Sequence, residues 1–540
     1  MKYLIKVLFF LTIFFFSLSS QGQIQFGSKI ETLKDFSAQP IFIETSENYF
    51  LAFQSNVVDA SRQINLNLFF AKQDFTEETF LEIPLKWSYV IRKPKAVGNK
   101  FYFLCESRDM ELKEYYFLVI DPNSKETLEI DLDNVIKGRI LEFEVLEDRI
   151  LFLIISQKRI VAQILETTTN KIYTVDDIYQ RGMVLQEVFH DELSREFHLL
   201  FSFRKRDNSK SFFWSTINKE GIILNNILLE HTHENLENIE ILLIGDGALP
   251  FVAGTIGETK KIAYKGYYAG YLSQGINPFK SIIEISELKG FFSFEKDGGE
   301  KSLKKWHKSG RQSLNGVLSS RGLIQNEFGY LLHSDYFRAV GNSFYLKDGL
   351  YDYNYYRLNP MKDFTIGRRV MVNNFTDGFG QSPSIVEGYF NELGQPILIE
   401  VDPSIYFSFI SSHFLQLDFD GNVLWDYAIP LPKKSTFIPL SYGQVLTGKK
   451  DHFLYTFDDK LFYSLISMGE IEMMNMEILL PDPQIPGKIL KSEYYDLELK
   501  SLNNGSFLLT GRQRLRFVDE NDVAQDQDIL FFQELNVNEY

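Results

Sequence analysis

The stretch Phe414-Leu415-Gln416-Leu417-Asp418-Phe419-Asp420-Gly421-Asn422-Val423-Leu424-Trp425 decides the fold class. Apolar residues lie on both sides of an Asp-Gly turn, the local pattern of a β-hairpin. Gly and Asn tolerate positive φ, so the chain reverses there at little steric cost.

Outward from this hairpin the same grammar recurs along the chain. An apolar run entered from a polar residue appears at Asn48 to Phe53, Asn99 to Leu104, Asp148 to Ile155, Glu196 to Phe201 and Leu249 to Ala253. It returns at Asn326 to Leu332, Gln395 to Ile399, His452 to Phe457 and Asn504 to Leu509. A second apolar run and a polar turn follow most of these, as at Asp121-Pro122-Asn123-Ser124, Thr169-Asn170-Lys171 and Asn218-Lys219-Glu220-Gly221. Most intervals are roughly 47 to 56 residues, close to the repeat of a four-stranded propeller blade. The pattern predicts an all-β chain forming a single β-propeller. Nine runs exceed the usual four to eight blades. Splitting of one blade between the termini, and a hairpin around Leu350 to Arg369 that mimics a unit, bring the expectation to seven or eight blades.

The interval from Leu249 to Asn326 is longer by roughly 25 to 30 residues. Its excess reads as one inserted basic loop, about residues 290–322. No Pro- or Ser-rich linker divides the chain, so residues 23–540 are expected to form one propeller-like domain.

The hairpin Leu417 to Trp425 resembles the outer-strand pattern of secreted bacterial β-propeller repeat proteins of unassigned function. The insertion and the tyrosine-rich stretch Tyr351 to Tyr356 are similar to that group as well. The resemblance spans most of the chain in its period, while its sharp motif covers about a tenth. Repeated Trp-Asp endings, Gly-Gly pairs and Ser-x-Asp-x-Gly boxes are missing, so the resemblance implies a fold and assigns no catalytic residue.

The N-terminus has its own pattern. Lys2 and Lys6 precede an apolar run from Val7 to Leu18, and Ser20-Gln21-Gly22 offers small residues for cleavage. That order is the signature of a removed secretory signal. Residues 1–22 are therefore expected to be a signal peptide cut after Gly22, placing the chain outside the cytoplasm, periplasmic or secreted. The run is too short to span a bilayer, which takes roughly 20 residues, and no later segment is apolar enough to be transmembrane. The single cysteine, Cys105, lies far from the cleavage site and excludes an intramolecular disulfide framework. Stability must come from packing.

Without Lys2 and Lys6, 54 of the 56 basic residues face 72 acidic ones. That balance opposes nucleic-acid binding, which needs phosphate neutralisation, and adsorption to anionic membranes.

Candidate chemistry is sparse. His231-Thr232-His233-Glu234 pairs two imidazoles but lacks the further ligands of a structural metal site, and it reads as a solvated loop. Asp418, Asp420 and Asn422 imitate a calcium loop, yet loop position twelve is Ile429 rather than Glu, so the hairpin reading stands. Cys105 ends an apolar strand and reads as a buried, inert thiol. Nucleophile elbows and phosphate-binding loops are absent. Acids are plentiful, as at Asp131 and Asp133, but a glycosidase needs two at a set separation.

Two groups remain as binding candidates. Tyr351, Tyr353 and Tyr355 alternate and share one face of a strand, where they could stack on sugars or a partner; a half-buried sheet face is the plainer reading. Lys304, Lys305, Trp306 and Arg311 make the insertion basic against an acidic background, suited to an anionic partner; a solvated loop is the plainer reading. The sequence points to a monomeric, cofactor-free and metal-free interaction platform for an envelope protein or glycan. A carbohydrate-active enzyme with acids in a central mouth is the alternative.

Overall fold

The computed structural model describes residues 24–340, 386–390, 396–400 and 406–537, apart from short loop stretches inside those ranges and residues 295–316. After β1 (Ile24–Thr32), the first sheet comprises β2 (Ile41–Glu44), β3 (Tyr49–Val58), β4 (Gln63–Lys72) and β5 (Glu78–Pro84). The second has β6 (Tyr89–Val97), β7 (Lys100–Ser107), β8 (Tyr115–Asp121) and β9 (Glu126–Asp131). The third has β10 (Arg139–Leu146), β11 (Arg149–Ser156), β12 (Arg159–Glu166) and β13 (Lys171–Val175). The fourth has β14 (Val184–Asp191), β15 (Glu196–Arg204), β16 (Lys210–Asn218) and β17 (Ile223–Leu229). The fifth has β18 (Glu234–Leu242), β19 (Phe251–Glu258), β20 (Tyr264–Tyr271) and β21 (Ser281–Glu284).

The sixth sheet contains β22 (Val317–Asn326) and β23 (Gly329–Val340). A separate two-stranded ribbon of β24 (Val386–Phe390) and β25 (Pro396–Glu400) intervenes. The sixth sheet then resumes with β26 (Tyr406–Leu417) and β27 (Val423–Pro430), and β28 (Ser435–Thr436) pairs with β26. The seventh has β29 (Ser441–Thr447), β30 (Lys450–Phe457), β31 (Lys460–Ser467) and β32 (Glu470–Ile478). The eighth joins β33 (Lys488–Ser501), β34 (Phe507–Val518) and β35 (Ala524–Val537) to β1, in the order β1-β35-β34-β33. Every pairing is antiparallel, as at β3 with β4, β11 with β12 and β34 with β35.

Repeated four-stranded meanders are propeller blades, and the chain is an all-β, β-propeller protein. The described residues hold eight such sheets, and the last is shared between the two ends of the chain. Eight of the nine apolar runs are the second strands of these sheets. The ninth, Gln395 to Ile399, is β25 of the separate ribbon. A unit-mimicking hairpin exists, but at Val386–Glu400; Leu350 to Arg369 lies outside the described residues.

The runs are continuous rather than alternating because central strands are covered on both faces. β8 (Tyr-Tyr-Phe-Leu-Val-Ile-Asp) buries its first six residues, whereas the fourth strand β9 is exposed along most of its length. The chain divides into two compact units, Met1–Ile136 with Leu440–Tyr540, and Lys137–Pro439. In the first unit, Leu66 and Leu68 of β4 pack with Phe101, Phe103 and Cys105 of β7. Leu454, Tyr463 and Leu465 pack with Phe507, Leu509 and Phe531. Phe69 stacks on Phe532, ring centres 4.9 Å apart, joining the first sheet to the eighth. In the second unit, Leu153 and Ile164 meet Leu199 and Phe201 between the third and fourth sheets. Trp214 and Ile227 meet Val252 and Tyr268 between the fourth and fifth. Tyr267 and Phe251 meet Leu332 and Leu415 between the fifth and sixth. Each apolar side chain buried this way contributes about 1.5–3 kcal/mol.

Candidate functional site

The polar residues that interrupt apolar strands gather between the fifth and sixth sheets. β26 carries Ser411-Ser412-His413 in its middle and β23 carries His333-Ser334-Asp335; both triplets are buried. Pairing sets Ser334 opposite His413 and Asp335 opposite Ser412. Arg321 of β22 reaches across, its Nε 2.7 Å from Asp335 Oδ2, with the two side chains only 4% and 2% exposed. Ser412 Oγ donates to the other carboxylate oxygen, and His333 Nε2 stands 3.6 Å from it. Burial alone would raise the Asp335 carboxyl. The Arg321 charge, with His333 and Ser412, overrides that and holds it well below the usual carboxylate range. Burial lowers His333, partly offset by Asp335, and its ring stacks on Phe414 with centres 4.6 Å apart.

A second chain of contacts runs beside this pair. Tyr267 OH of β20 lies 2.8 Å from Ser334 Oγ and 2.8 Å from His413 Nδ1. His413 Nε2 lies 3.2 Å from Asp426 Oδ2 on β27. Asp426 also accepts the backbone N–H groups of Lys289 at 2.9 Å and Gly290 at 2.7 Å. Burial would raise Asp426, but His413 and these two amides bring it below its ordinary value. Burial pushes the Tyr267 phenol far up. The sequence carboxylate–imidazole–hydroxyl resembles a hydrolytic relay in its chemistry. Tyr267 and Ser334 have no solvent exposure, however, and Phe291 lies over the His413 ring at 4.8 Å. No substrate atom can reach a sealed hydroxyl, so this arrangement fastens neighbouring sheets and binds the segment before β22 to β27. Ser293 Oγ reinforces the latter link by donating to Ala428 O at 2.8 Å.

A repeated device lies on the leading strands. A β-bulge interrupts the pairing of β6, β10, β14, β18, β22 and β33 with the following strand. The skipped residues are Arg92, Leu141, Gln186, Glu237, Arg321 and Leu490, and β33 skips Asp496 and Leu497 as well. Bulges re-aim side chains, and at β22 the bulged residue is the Arg321 that pairs with Asp335. Nearby, Ser320 Oγ donates to Glu240 Oε1 at 2.6 Å and Asn238 Nδ2 to Leu318 O at 3.1 Å.

The other candidates fall as follows. Tyr351, Tyr353, Tyr355, Lys304, Lys305, Trp306 and Arg311 lie outside the described residues, as do Thr232, His233 and residues 1–22. At the edges of the expected 290–322 insertion, Phe291 and Phe292 are buried in the core and residues 317–322 belong to β22. Arg321 is therefore a buried ion-pair residue rather than part of a solvated basic loop. Cys105 is buried. Asp418 organises its hairpin: Oδ1 accepts the N–H of Asp420 at 2.9 Å and of Asn422 at 2.8 Å. Among the described residues no group of three or more His, Cys, Asp or Glu could hold a metal ion, and no helix is long and apolar enough to cross a membrane. Sequence reasoning missed the Asp335 and Asp426 clusters. Their one local signal was the polar triplet inside each apolar strand.

No family model and no curated protein matches the chain. Solved structures do show similarity. The Dos1 propeller matches at 7% identity and TM-score 0.38, covering 95% of this chain and 96% of that one. The β-propeller domain of the Trilobed protease from Pyrococcus furiosus matches at 8% identity and TM-score 0.31, covering 84% and 97%. A prolyl endopeptidase matches at 9% identity and TM-score 0.34, covering 87% of this chain. The chain spans about half, 53%, of that endopeptidase's length.

Proposed function

We propose that the chain is an exported propeller that acts, without catalysis, as a binding platform for an envelope protein or glycan. One observation carries this reading. The basic and tyrosine-rich segments leave the same end of the same sheet. The basic segment enters β22 at Val317, which pairs with Phe337 near the end of β23. The tyrosine segment leaves β23 after Val340, which pairs with Tyr406 at the start of β26. The chain stretches that carry Lys304, Lys305, Trp306 and Arg311 and that carry Tyr351, Tyr353 and Tyr355 thus join the described sheet at one end, and internal ion pairs and hydrogen bonds hold that sheet together. Two chemically distinct segments joined to one sheet end, one rich in cationic and one in aromatic residues, suit recognition of an anionic glycan or an acidic protein face.

The test is a glycan array and a capture experiment on envelope extract, each with the unaltered chain and two variants. One variant carries Lys304→Glu, Lys305→Glu and Arg311→Glu; the other carries Tyr351→Ala, Tyr353→Ala and Tyr355→Ala. A ligand retained by the unaltered chain and lost at least tenfold in both variants supports the reading. Equal retention by all three chains rejects it. N-terminal sequencing of the exported chain tests localisation, with Gln23 as the expected first residue.

A further inference from the structure

We propose that Gln23, once the leader is removed, closes on itself to pyroglutamate and so caps the strand that completes the eighth sheet. The inference rests on the proposed cleavage after Gly22, which makes Gln23 the first residue of the exported chain. A glutamine at a free N-terminus carries its own electrophile, because its α-amine and its side-chain amide carbon are placed to close a five-membered ring. The amine nitrogen bonds to Cδ, and the bond from Cδ to the side-chain nitrogen breaks. That nitrogen takes the proton given up by the amine and leaves as ammonia. No oxidant, metal or cosubstrate enters. The peptide bond to Ile24 is untouched, so the whole of β1 stays free to form its ladder with β35.

The fold explains what a cap at this position protects. β1 begins at Ile24, the residue next to the new terminus. Ile24 is 4% exposed, pairs with Val537 and belongs to the core cluster of Leu454, Phe507 and Leu535. Chain ends stay ordered only where they are tied down, and proteolysis concentrates where they are not. The strand is accessible from outside at this end, since Gln25, the next residue along, is exposed. An aminopeptidase that takes residue 23 reaches Ile24 with its next cut, and further cuts strip the strand that closes the eighth sheet. An edge uncovered in that way recruits other chains. Such a peptidase requires a free α-amine. The lactam has none, and closing the terminus also removes its charge.

Mass spectrometry of the chain purified from the cells that export it reads the cap directly. The N-terminal peptide should begin at residue 23 and be lighter by one ammonia than its encoded sequence. A synthetic peptide of Gln23 to Thr32 carried through the same handling should stay mostly open. Gln23→Asn keeps a side-chain amide but would need a strained four-membered ring, so its peptide should keep the encoded mass. An added aminopeptidase should shorten the folded Gln23→Asn chain at least tenfold faster than the unaltered one. A terminus at residue 23 with its glutamine open overturns this proposal and leaves cleavage after Gly22 standing. A terminus at any other residue overturns both. Closure of the synthetic peptide to the same extent as the chain makes the ring a product of preparation and also overturns the proposal. Equal trimming of the two chains overturns the protective role.

Discussion

Asp335 meets Arg321, Ser412 and His333 with almost no access to water. Breaking such a pair leaves a buried charge uncompensated and costs about 3–5 kcal/mol, whereas replacing both partners by apolar residues is far milder. Asp335→Asn should therefore lower the urea midpoint strongly, and Arg321→Met with Asp335→Leu should recover most of the loss. A loss under about 1 kcal/mol for Asp335→Asn would show that Arg321 reaches water. Buried histidines set the acid response. Burial lowers His198, held between Phe189 and Trp214, to about 4, and lowers His452 to about 4. An unfolded His titrates near 6.5, so between about pH 6.5 and 4 the unfolded chain binds more protons. Stability is whole above pH 6.5 and falls as pH drops toward 4, by roughly 3 kcal/mol for each histidine. Asp335 has the opposite window: its folded value lies below its unfolded one, so its contribution persists down through pH 4 and is lost only in stronger acid. His198→Phe keeps an aromatic ring and removes the titration. Urea unfolding at pH 7 and pH 5 should show a smaller difference for this variant than for the unaltered chain, and an equal difference would remove His198 from the acid response.

At the scale of elements, one turn is used twice. Asn218 and Asp418 each begin a turn before a fourth strand. Asn218 Oδ1 accepts from Glu220 at 3.1 Å and Ile222 at 2.8 Å, matching the Asp418 contacts. Gly221 and Gly421 sit at φ +85° and +83°, where a Cβ is strained. Each turn lies against the preceding sheet, Gly221 beside Val175 and Gly421 beside Ser281. Asp418→Ala removes three hydrogen-bonding contacts to a carboxylate and should cost about 1.5–3 kcal/mol; Asn218→Ala should cost less, since its acceptor is neutral. Thermal unfolding of the two variants checks the order, which reverses if backbone geometry alone holds the turns. These turns were legible in sequence because Asx and Gly act locally. The blades were legible because a strand covered on both faces must be apolar throughout, as β8 and β11 are. The bulges at Arg92, Leu141 and Arg321 were not legible, since a slipped register leaves the apolar pattern intact. The same holds for Tyr267, His413 and Asp426, whose partners lie on different strands and, for Tyr267, 146 residues away. The tyrosine and basic candidates were chosen by composition, which says nothing of what a side chain touches.

For the molecule as a whole, the shared eighth sheet matters most. β1 pairs with β35 from Ile24 opposite Val537 to Thr32 opposite Leu530, so residues 498 to 513 apart in sequence close one sheet. Ile24 and Ile30 are buried, and Gln533 Nε2 donates to Gly27 O at 3.0 Å. Without β1, the β35 edge and the flank of Phe531 and Leu535 face water, and an uncovered apolar edge recruits other chains. The proposed cleavage after Gly22 leaves β1 whole with a single residue, Gln23, before it. A chain beginning at Gln23 should therefore match full stability. One beginning at Leu33 loses two buried isoleucines, each worth about 1.5–3 kcal/mol, together with a strand of ladder hydrogen bonds. Its thermal midpoint should drop and its light scattering should rise on warming. A synthetic peptide spanning Ile24 to Thr32, added in excess, should restore both in proportion to its occupancy. Restoration by the peptide separates loss of a pairing strand from general misfolding, because a chain that had collapsed into another structure would offer no edge for the peptide to pair with.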